Sequence, residues 1–124
     1  MVGIADGDTV RVRLASGRVE RVRYIGIDAP ERGTCFSARA TAFNARLVAG
    51  RDVRLVQDAE PRDRYGRLLA YVYAGDALVN AELLRGGYAK PLVVRPNVRF
   101  ADRFARLASE AREAGRGLWA SCAS

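Results

Sequence analysis

Only Ala15, Ser16 and Gly17 separate two stretches of this chain, residues 10–14 and 18–27, in which Val10 to Leu14 and Arg21 to Tyr24 alternate charged with apolar or aromatic side chains. Alternation puts every second side chain on one face of an extended backbone. A short connection containing glycine lets two such stretches fold back as an antiparallel hairpin. Val10, Val12, Val22 and Tyr24 then share one face, while Arg11, Arg13, Arg21 and Arg23 share the other. One side of the hairpin has to be buried and the other is basic.

Further extended segments follow. Residues 53–57 and 68–73 have strand character, residues 58–66 form a long polar loop, and Ala74-Gly75-Asp76 turns the chain back into residues 77–79. Ser37 is expected to cap a helix over residues 38–49 that Gly50 ends, with Ala40, Phe43 and Leu47 as its buried stripe. Asn80 is expected to cap a short helix stopping at Gly86-Gly87. Residues 90–96, bounded by prolines, read as an extended apolar connector. Phe100, Phe104, Leu107, Ala108 and Ala111 then follow helical spacing, in a last helix preceded by Asn97 and ended by Gly115 and Gly117. Leu118 and Trp119 are expected to cover the underside of the fold. Five short strands, with a short first one over residues 1–5 and a helix after the third segment, suit an OB-fold better than a parallel sheet. The fold class is then α+β, a five-stranded Greek-key β-barrel with three helices. No repeat, linker or low-complexity tract interrupts the chain, and 124 residues suffice for one core but not two, so residues 1–124 read as a single domain.

The 21 Lys and Arg outnumber the 14 Asp and Glu, leaving a net charge of +7 that favours a polyanionic partner. Most of the basic hairpin face is solvated arginine, but it also suits guiding a nucleic-acid strand. Lys90 is the single lysine; arginine suits bidentate phosphate contacts, although a GC-rich genome also replaces lysine by arginine. There is no histidine, which removes the commonest general base, every His-bearing zinc site and any Ser-His-Asp triad. Two cysteines are too few for a structural zinc. No run approaches the ~20 apolar residues of a membrane span, so no membrane partner is expected. The opening Met-Val-Gly-Ile-Ala is not a signal peptide, leaving a cytoplasmic chain or one whose leader has been removed. Cys35 and Cys122 are either two thiols in a reducing compartment or a bridge. A bridge closing so long a loop stabilises by about 4–5 kcal/mol in the chain-entropy model and implies a secreted or extracytoplasmic protein.

Acids gather beside this framework. The stretch Arg23-Tyr24-Ile25-Gly26-Ile27-Asp28-Ala29-Pro30-Glu31 starts as a strand and is broken by Pro30, which biases Ala29 towards extended geometry. Asp28 and Glu31 sit at that exit. Asp6-Gly7-Asp8-Thr9 precedes the first alternating run, and Asp63-Arg64-Tyr65-Gly66-Arg67 precedes residues 68–73. Each alone has the composition of an ordinary β-turn. In this order and at these separations, the three resemble the staphylococcal-type thermonuclease (SNase-like) family. The likeness continues through Val79–Arg85, Tyr88-Ala89-Lys90, Arg95-Pro96-Asn97 and Gly117-Leu118-Trp119, nearly the whole chain.

The resemblance implies a Ca²⁺-dependent nuclease that hydrolyses phosphodiester bonds of DNA and RNA with little sequence specificity and leaves 3′-phosphate ends. It assigns Asp8, Asp28 and the backbone carbonyl of Ala29 to the metal, a set of hard oxygens suited to calcium. Arg23 and Arg67 match the catalytic arginines, which neutralise charge developing on a scissile phosphate. Glu31 matches the carboxylate that orients or deprotonates the attacking water, and Arg64 and Tyr65 match residues that hold a terminal phosphate. The chain departs from the family in three places. Arg64 stands where lysine is frequent, Ala29 replaces a threonine, and Leu92, Val93 and Val94 occupy a slightly shortened segment that carries base-stacking tyrosines in the best-known members. Stacking contributes about 1–3 kcal/mol per base, so nucleotide affinity is the property most exposed to that change. The expected partners are DNA and RNA, and the expected state is a monomer. The rival readings are a non-catalytic OB-fold module that binds nucleic acid or protein, and a structural barrel stabilised by calcium.

Overall fold

A computed structural model of the chain describes residues 3–122. In order, its strands and helices are β1 (Gly3–Ile4), β2 (Thr9–Arg13), β3 (Val19–Tyr24), β4 (Ile27–Asp28), α1 (Ser37–Val48), β5 (Arg54–Val56), β6 (Leu68–Ala74), β7 (Ala77–Leu78), α2 (Val79–Arg85), β8 (Lys90–Pro91), α3 (Ala101–Glu113) and α4 (Leu118–Ser121). Met1 and Val2, at the start of the expected first strand, lie outside the described residues.

The main sheet follows the order β1-β2-β3-β6-β5, with β7 added on β6. β2 and β3 form the hairpin that the alternation predicts, in a register pairing Val10 with Val22 and Arg11 with Arg21. β3 then runs parallel to β6, Arg23 opposite Leu69 and Tyr24 opposite Ala70, while β5 returns antiparallel to β6. A three-strand meander closed by one parallel pair is the strand order of an OB-fold, so the architecture is α+β and OB-fold-like. The fourth helix, α4, is a single short turn that the sequence reading treated as a covering segment.

Several local expectations change. The expected strand over residues 18–27 stops at Tyr24, because Gly26 adopts φ +84° where a β-carbon would lie 2.6 Å from the Phe104 ring. Ile27 and Asp28 restart as β4 against β8, with Asp28 opposite Lys90. Ser37 is the first residue of α1 rather than its cap, and its hydroxyl accepts the Gly33 N–H at 3.2 Å. The inward stripe of α1 is Ala40, Asn44 and Val48, with Phe43 and Leu47 packed against its edge. Asn80 lies within α2 instead of capping it. Its amide accepts the Val72 N–H at 2.9 Å and donates to the Ile25 carbonyl at 2.8 Å, stitching β6 to the turn after β3. Of the connector, only Lys90 and Pro91 are strand, and a bridge between Val94 and Asn97 folds the remainder back.

The core joins the valines of the hairpin and Tyr24 to Tyr71, Leu83, Leu84 and Phe104, all nearly or fully buried. Tyr71 meets Phe100 edge to face at 4.7 Å between ring centroids, and Phe43 stacks on Tyr88 at 4.1 Å. Cys35 and Cys122 form a disulfide across 87 residues of sequence, which ties the N-terminal end of α1 to the chain after α4. Among the described residues, no helix is long and apolar enough to cross a membrane.

Candidate nucleic-acid-cleaving site

Asp6-Gly7-Asp8-Thr9 forms a tight turn in which the Asp8 N–H donates to Asp6 Oδ1 at 3.0 Å. The turn is pressed against the body of the fold. A β-carbon on Gly7 would lie 2.8 Å from that of Ala29 and 2.9 Å from that of Ala40, so only glycine permits the approach. Behind it, Asn44 of α1 donates to the Asp6 carbonyl at 3.0 Å and accepts the Tyr24 hydroxyl at 2.6 Å. Asp8 is thereby fixed from two sides. Its Oδ1 accepts the Thr9 hydroxyl at 3.1 Å, and its Oδ2 accepts the Ala29 N–H at 2.8 Å.

Arg23 stands between two acids. Its Nη2 lies 3.5 Å from Asp8 Oδ2 and 3.6 Å from Asp28 Oδ1, and its Nη1 donates to the Tyr24 carbonyl at 2.8 Å. With only 15% of its side chain exposed, this guanidinium is held in place. Burial still outweighs it at Asp8, whose pKa is pushed up to about 6; the Arg23 charge pulls the other way, and the Asp6 carboxyl adds to the rise. A buried carboxylate whose charge is only partly compensated is a site that favours an added cation.

The second arginine comes from the loop before β6. Asp63 organises that loop: its Oδ1 accepts the N–H groups of Tyr65 and Arg67 at 3.0 and 2.9 Å, and its Oδ2 accepts Arg67 Nε at 2.7 Å. Burial raises the Asp63 pKa, but the Arg67 backbone and side-chain hydrogen bonds and the Arg67 charge outweigh it and hold the carboxyl below its ordinary value. Arg64 donates to the Tyr65 hydroxyl at 2.8 Å, and the guanidinium carbons of Arg64 and Arg67 lie 5.0 and 5.5 Å from the Tyr65 ring centroid. The parallel pairing of β3 with β6 brings this loop beside Arg23. Arg23, Arg64, Tyr65 and Arg67 line one cavity of about 400 Å³, together with Arg95 and the aliphatic side chains of Leu92 and Val94.

The structure therefore gathers Asp8, Arg23, Asp28 and the Ala29 backbone into one cluster, and Arg23, Arg64, Tyr65 and Arg67 around one cavity. Glu31 stands apart. It is exposed, its backbone carbonyl accepts the N–H and hydroxyl of Thr34 at 3.0 and 2.6 Å, and it lines a second cavity with Asp28 and Ala29. Among the described residues, it makes no ion pair with either arginine. Asp28 joins the two halves, bordering the second cavity while paired to Arg23. No cluster of three or more Asp, Glu, Cys or His able to hold a metal occurs among the described residues; the oxygens a cation could draw on here are those of Asp8 with the neighbouring Asp6, Asp28 and backbone carbonyls. That donor set is hard and anionic, which fits calcium completed by water or phosphate.

Sequence reasoning gave Asp63, Asn44 and the Arg62–Glu20 pair no part in this site. Arg62 donates from both Nη atoms to Glu20 at 3.0 Å each, anchoring the arginine loop to β3. The signals were slight: Asp63 precedes Arg67 by four residues, and Asn44 falls between Ala40 and Val48 at the helical spacing of the buried stripe.

An OB-type β-fold with a rigid acidic turn beside an arginine-lined cavity defines a phosphate-handling protein. Comparison with known proteins gives the particular family. Residues 21–121 match the family model described as staphylococcal nuclease homologue. The chain is 34% identical to the thermonuclease of Staphylococcus intermedius over 122 aligned residues, covering 94% of this chain and 72% of that protein. It is 31% identical to the thermonuclease of Staphylococcus hyicus, covering 98% and 75%, and 38% identical to an uncharacterized endonuclease of Escherichia coli O157:H7, covering 96% and 74%. The chain belongs to the staphylococcal nuclease family, and its general activity is that of a nuclease, a phosphodiester hydrolase.

Proposed function

We propose that this chain is a Ca²⁺-dependent nuclease that cleaves DNA and RNA with little sequence specificity and leaves 3′-phosphate ends. The observation that carries the reading is the position of Arg23, fixed between Asp8 and Asp28 while facing the same cavity as Arg67. Two guanidinium groups around one cavity grip a phosphate and neutralise charge that grows on its oxygens as the reaction proceeds. Asp8, Asp28 and the Ala29 carbonyl would hold Ca²⁺, which would supply a hard positive charge to the phosphate chemistry. Glu31 orients the attacking water or takes its proton. The water oxygen forms a bond to phosphorus while the bond from phosphorus to the 5′ oxygen breaks, so the phosphate stays on the 3′ side and the departing oxygen takes a proton from solvent. Arg64 and Tyr65 hold a neighbouring terminal phosphate. The chain acts as a monomer, and the Cys35–Cys122 bridge supports a secreted or extracytoplasmic setting.

Incubating the protein with single-stranded DNA and RNA, first with Ca²⁺ and then with excess chelator, tests the reading. Cleavage with Ca²⁺ that stops on chelation, with product ends sensitive to a 3′-phosphatase, is the expected result. Absence of cleavage in both conditions overturns it and leaves a binding module.

A further inference from the structure

A second cavity, of about 410 Å³, is lined by Asp28 and by none of the arginines of the first. Asp28 and Glu31 stand in its wall next to the proposed reaction centre. Lys90, Trp119 and the Cys35–Cys122 bridge complete the lining. Lys90 is an exposed residue of β8, opposite Asp28 in register, so the sheet itself sets how far the ammonium stands from the centre.

Of the two residues expected to cover the underside of the fold, Leu118 is buried and Trp119 keeps part of its surface exposed. The Trp119 indole N–H is buried without a hydrogen-bond partner. The Lys90 ammonium lies 5.5 Å from the indole ring centroid and the Arg112 guanidinium carbon 5.6 Å from it. Cations at that distance are held by the ring's electrostatic field, and they compete with a base for its faces. The indole therefore serves to hold the Lys90 ammonium at the cavity.

A polynucleotide cleaved in the middle must continue on both sides of the scissile phosphate. The arginine cavity provides for one side only. Resting on the nuclease reading above, we infer that the Lys90–Trp119 cavity receives the nucleotide on the other side of the scissile bond, with its backbone phosphate on Lys90. Lys90 is the one basic side chain in the cavity lining and stands opposite Asp28 in the β4–β8 register, so it offsets that carboxylate while its ammonium meets the phosphate. Contact with the backbone alone carries no base information, in keeping with low sequence specificity.

Lys90 and Trp119 are the single lysine and single tryptophan of the chain, so both can be followed without interference. In excess chelator, a single-stranded octathymidylate should change the Trp119 emission saturably. Lys90→Ala should raise KM for that oligonucleotide about tenfold, as expected for loss of one charge-assisted phosphate contact, with kcat the less affected parameter. It should also lower the slope of log affinity against log salt by about 0.7, the value for one phosphate on a single strand. Lys90→Arg should restore most of both. Emission unmoved at saturating DNA, or a Lys90→Ala variant with the KM and salt slope of the parent, overturns the assignment. Normal cleavage by the parent in that case leaves the nuclease reading standing. A saturable emission change in a parent that cleaves nothing with Ca²⁺ supports nucleotide docking in this cavity and sinks the nuclease reading instead.

Discussion

The loop that delivers Arg67 and the loop that carries Glu31 are held by different means. Residues 58–66 are pinned along their whole length by side chains. Asp58 accepts from the Tyr71 hydroxyl at 2.7 Å and the Arg99 N–H at 3.0 Å, and Asn97 bonds both the N–H and the carbonyl of Glu60, at 2.7 and 2.8 Å. Arg62 is clamped by Glu20, and Asp63 aligns Arg67. Residues 31–36 are exposed or half-buried, with local hydrogen bonds to Thr34 and Ser37, one long-range bond from Arg32 to the Ala5 carbonyl at 3.3 Å, the Phe36 ring against Tyr88, and one covalent fastening at Cys35. A group that must match a fixed phosphate benefits from being set before substrate arrives. A carboxylate that handles water tolerates more freedom, provided its loop stays anchored at the far end.

The comparison predicts that the arginine loop governs turnover most strongly. Arg67→Ala should lower kcat about 10³-fold, within the range lost when a charge-stabilising donor is removed, with little change in melting temperature. Glu31→Gln should lower it about 10²-fold, the contribution of a general base. Steady-state cleavage of one DNA substrate, alongside thermal melts, measures both. A smaller loss for Arg67→Ala than for Glu31→Gln would reverse the ranking.

Removing the covalent fastening of the other loop acts on stability. The paired substitution Cys35→Ser with Cys122→Ser releases a constraint across 87 residues and should cost about 4–5 kcal/mol in the chain-entropy model, read from urea unfolding. Hydrogen exchange should quicken across residues 31–36 and stay unchanged across residues 58–66. Equal loss of protection in both would show that the two loops are not held independently. Asn97→Ala is the reciprocal experiment. It removes both hydrogen bonds to the Glu60 backbone, a loss of about 1–3 kcal/mol, and should loosen residues 58–66 alone.

What could be read from the chain divides along the same line. The hairpin was legible because alternation with a glycine turn admits one pairing, and the family motifs pointed to Asp8, Arg23, Asp28 and Arg67, which the fold gathers. The connections were not. Nothing in residues 18–27 shows that the strand must end at Tyr24, since that depends on the Phe104 ring arriving from α3 to occupy the space beside Gly26. Ser37 and Asn80 have the composition of helix caps, but tertiary contacts recruit them elsewhere, Ser37 to Gly33 and Asn80 to the strands beneath α2. Asp63 was visible only as a turn residue, because its alignment of Arg67 requires the loop to close.

Asp63 also provides the finest test of how the arginine loop is held. Its carboxyl titrates below the unfolded value of 3.8 despite the opposing effect of burial, because Arg67 hydrogen bonds and charge favour the ionised form. Between the lowered folded value and 3.8, the unfolded chain binds more protons, so stability rises with pH through that window. The contribution is complete above 3.8 and is lost as pH falls through the folded value. Asp63→Asn retains an oxygen for the Tyr65 and Arg67 N–H groups but removes the charge opposite Arg67 Nε. Urea unfolding from about pH 2 to pH 6 should show the parent gaining on the variant as pH rises across the lower part of that range, then a constant gap. At neutral pH the variant should turn over about tenfold more slowly, because Arg67 loses the charge that aligns it. Parallel stability curves with undiminished turnover would mean that Arg67 is aligned by the backbone turn alone, and the pinning of this loop would then owe nothing to the Asp63 charge.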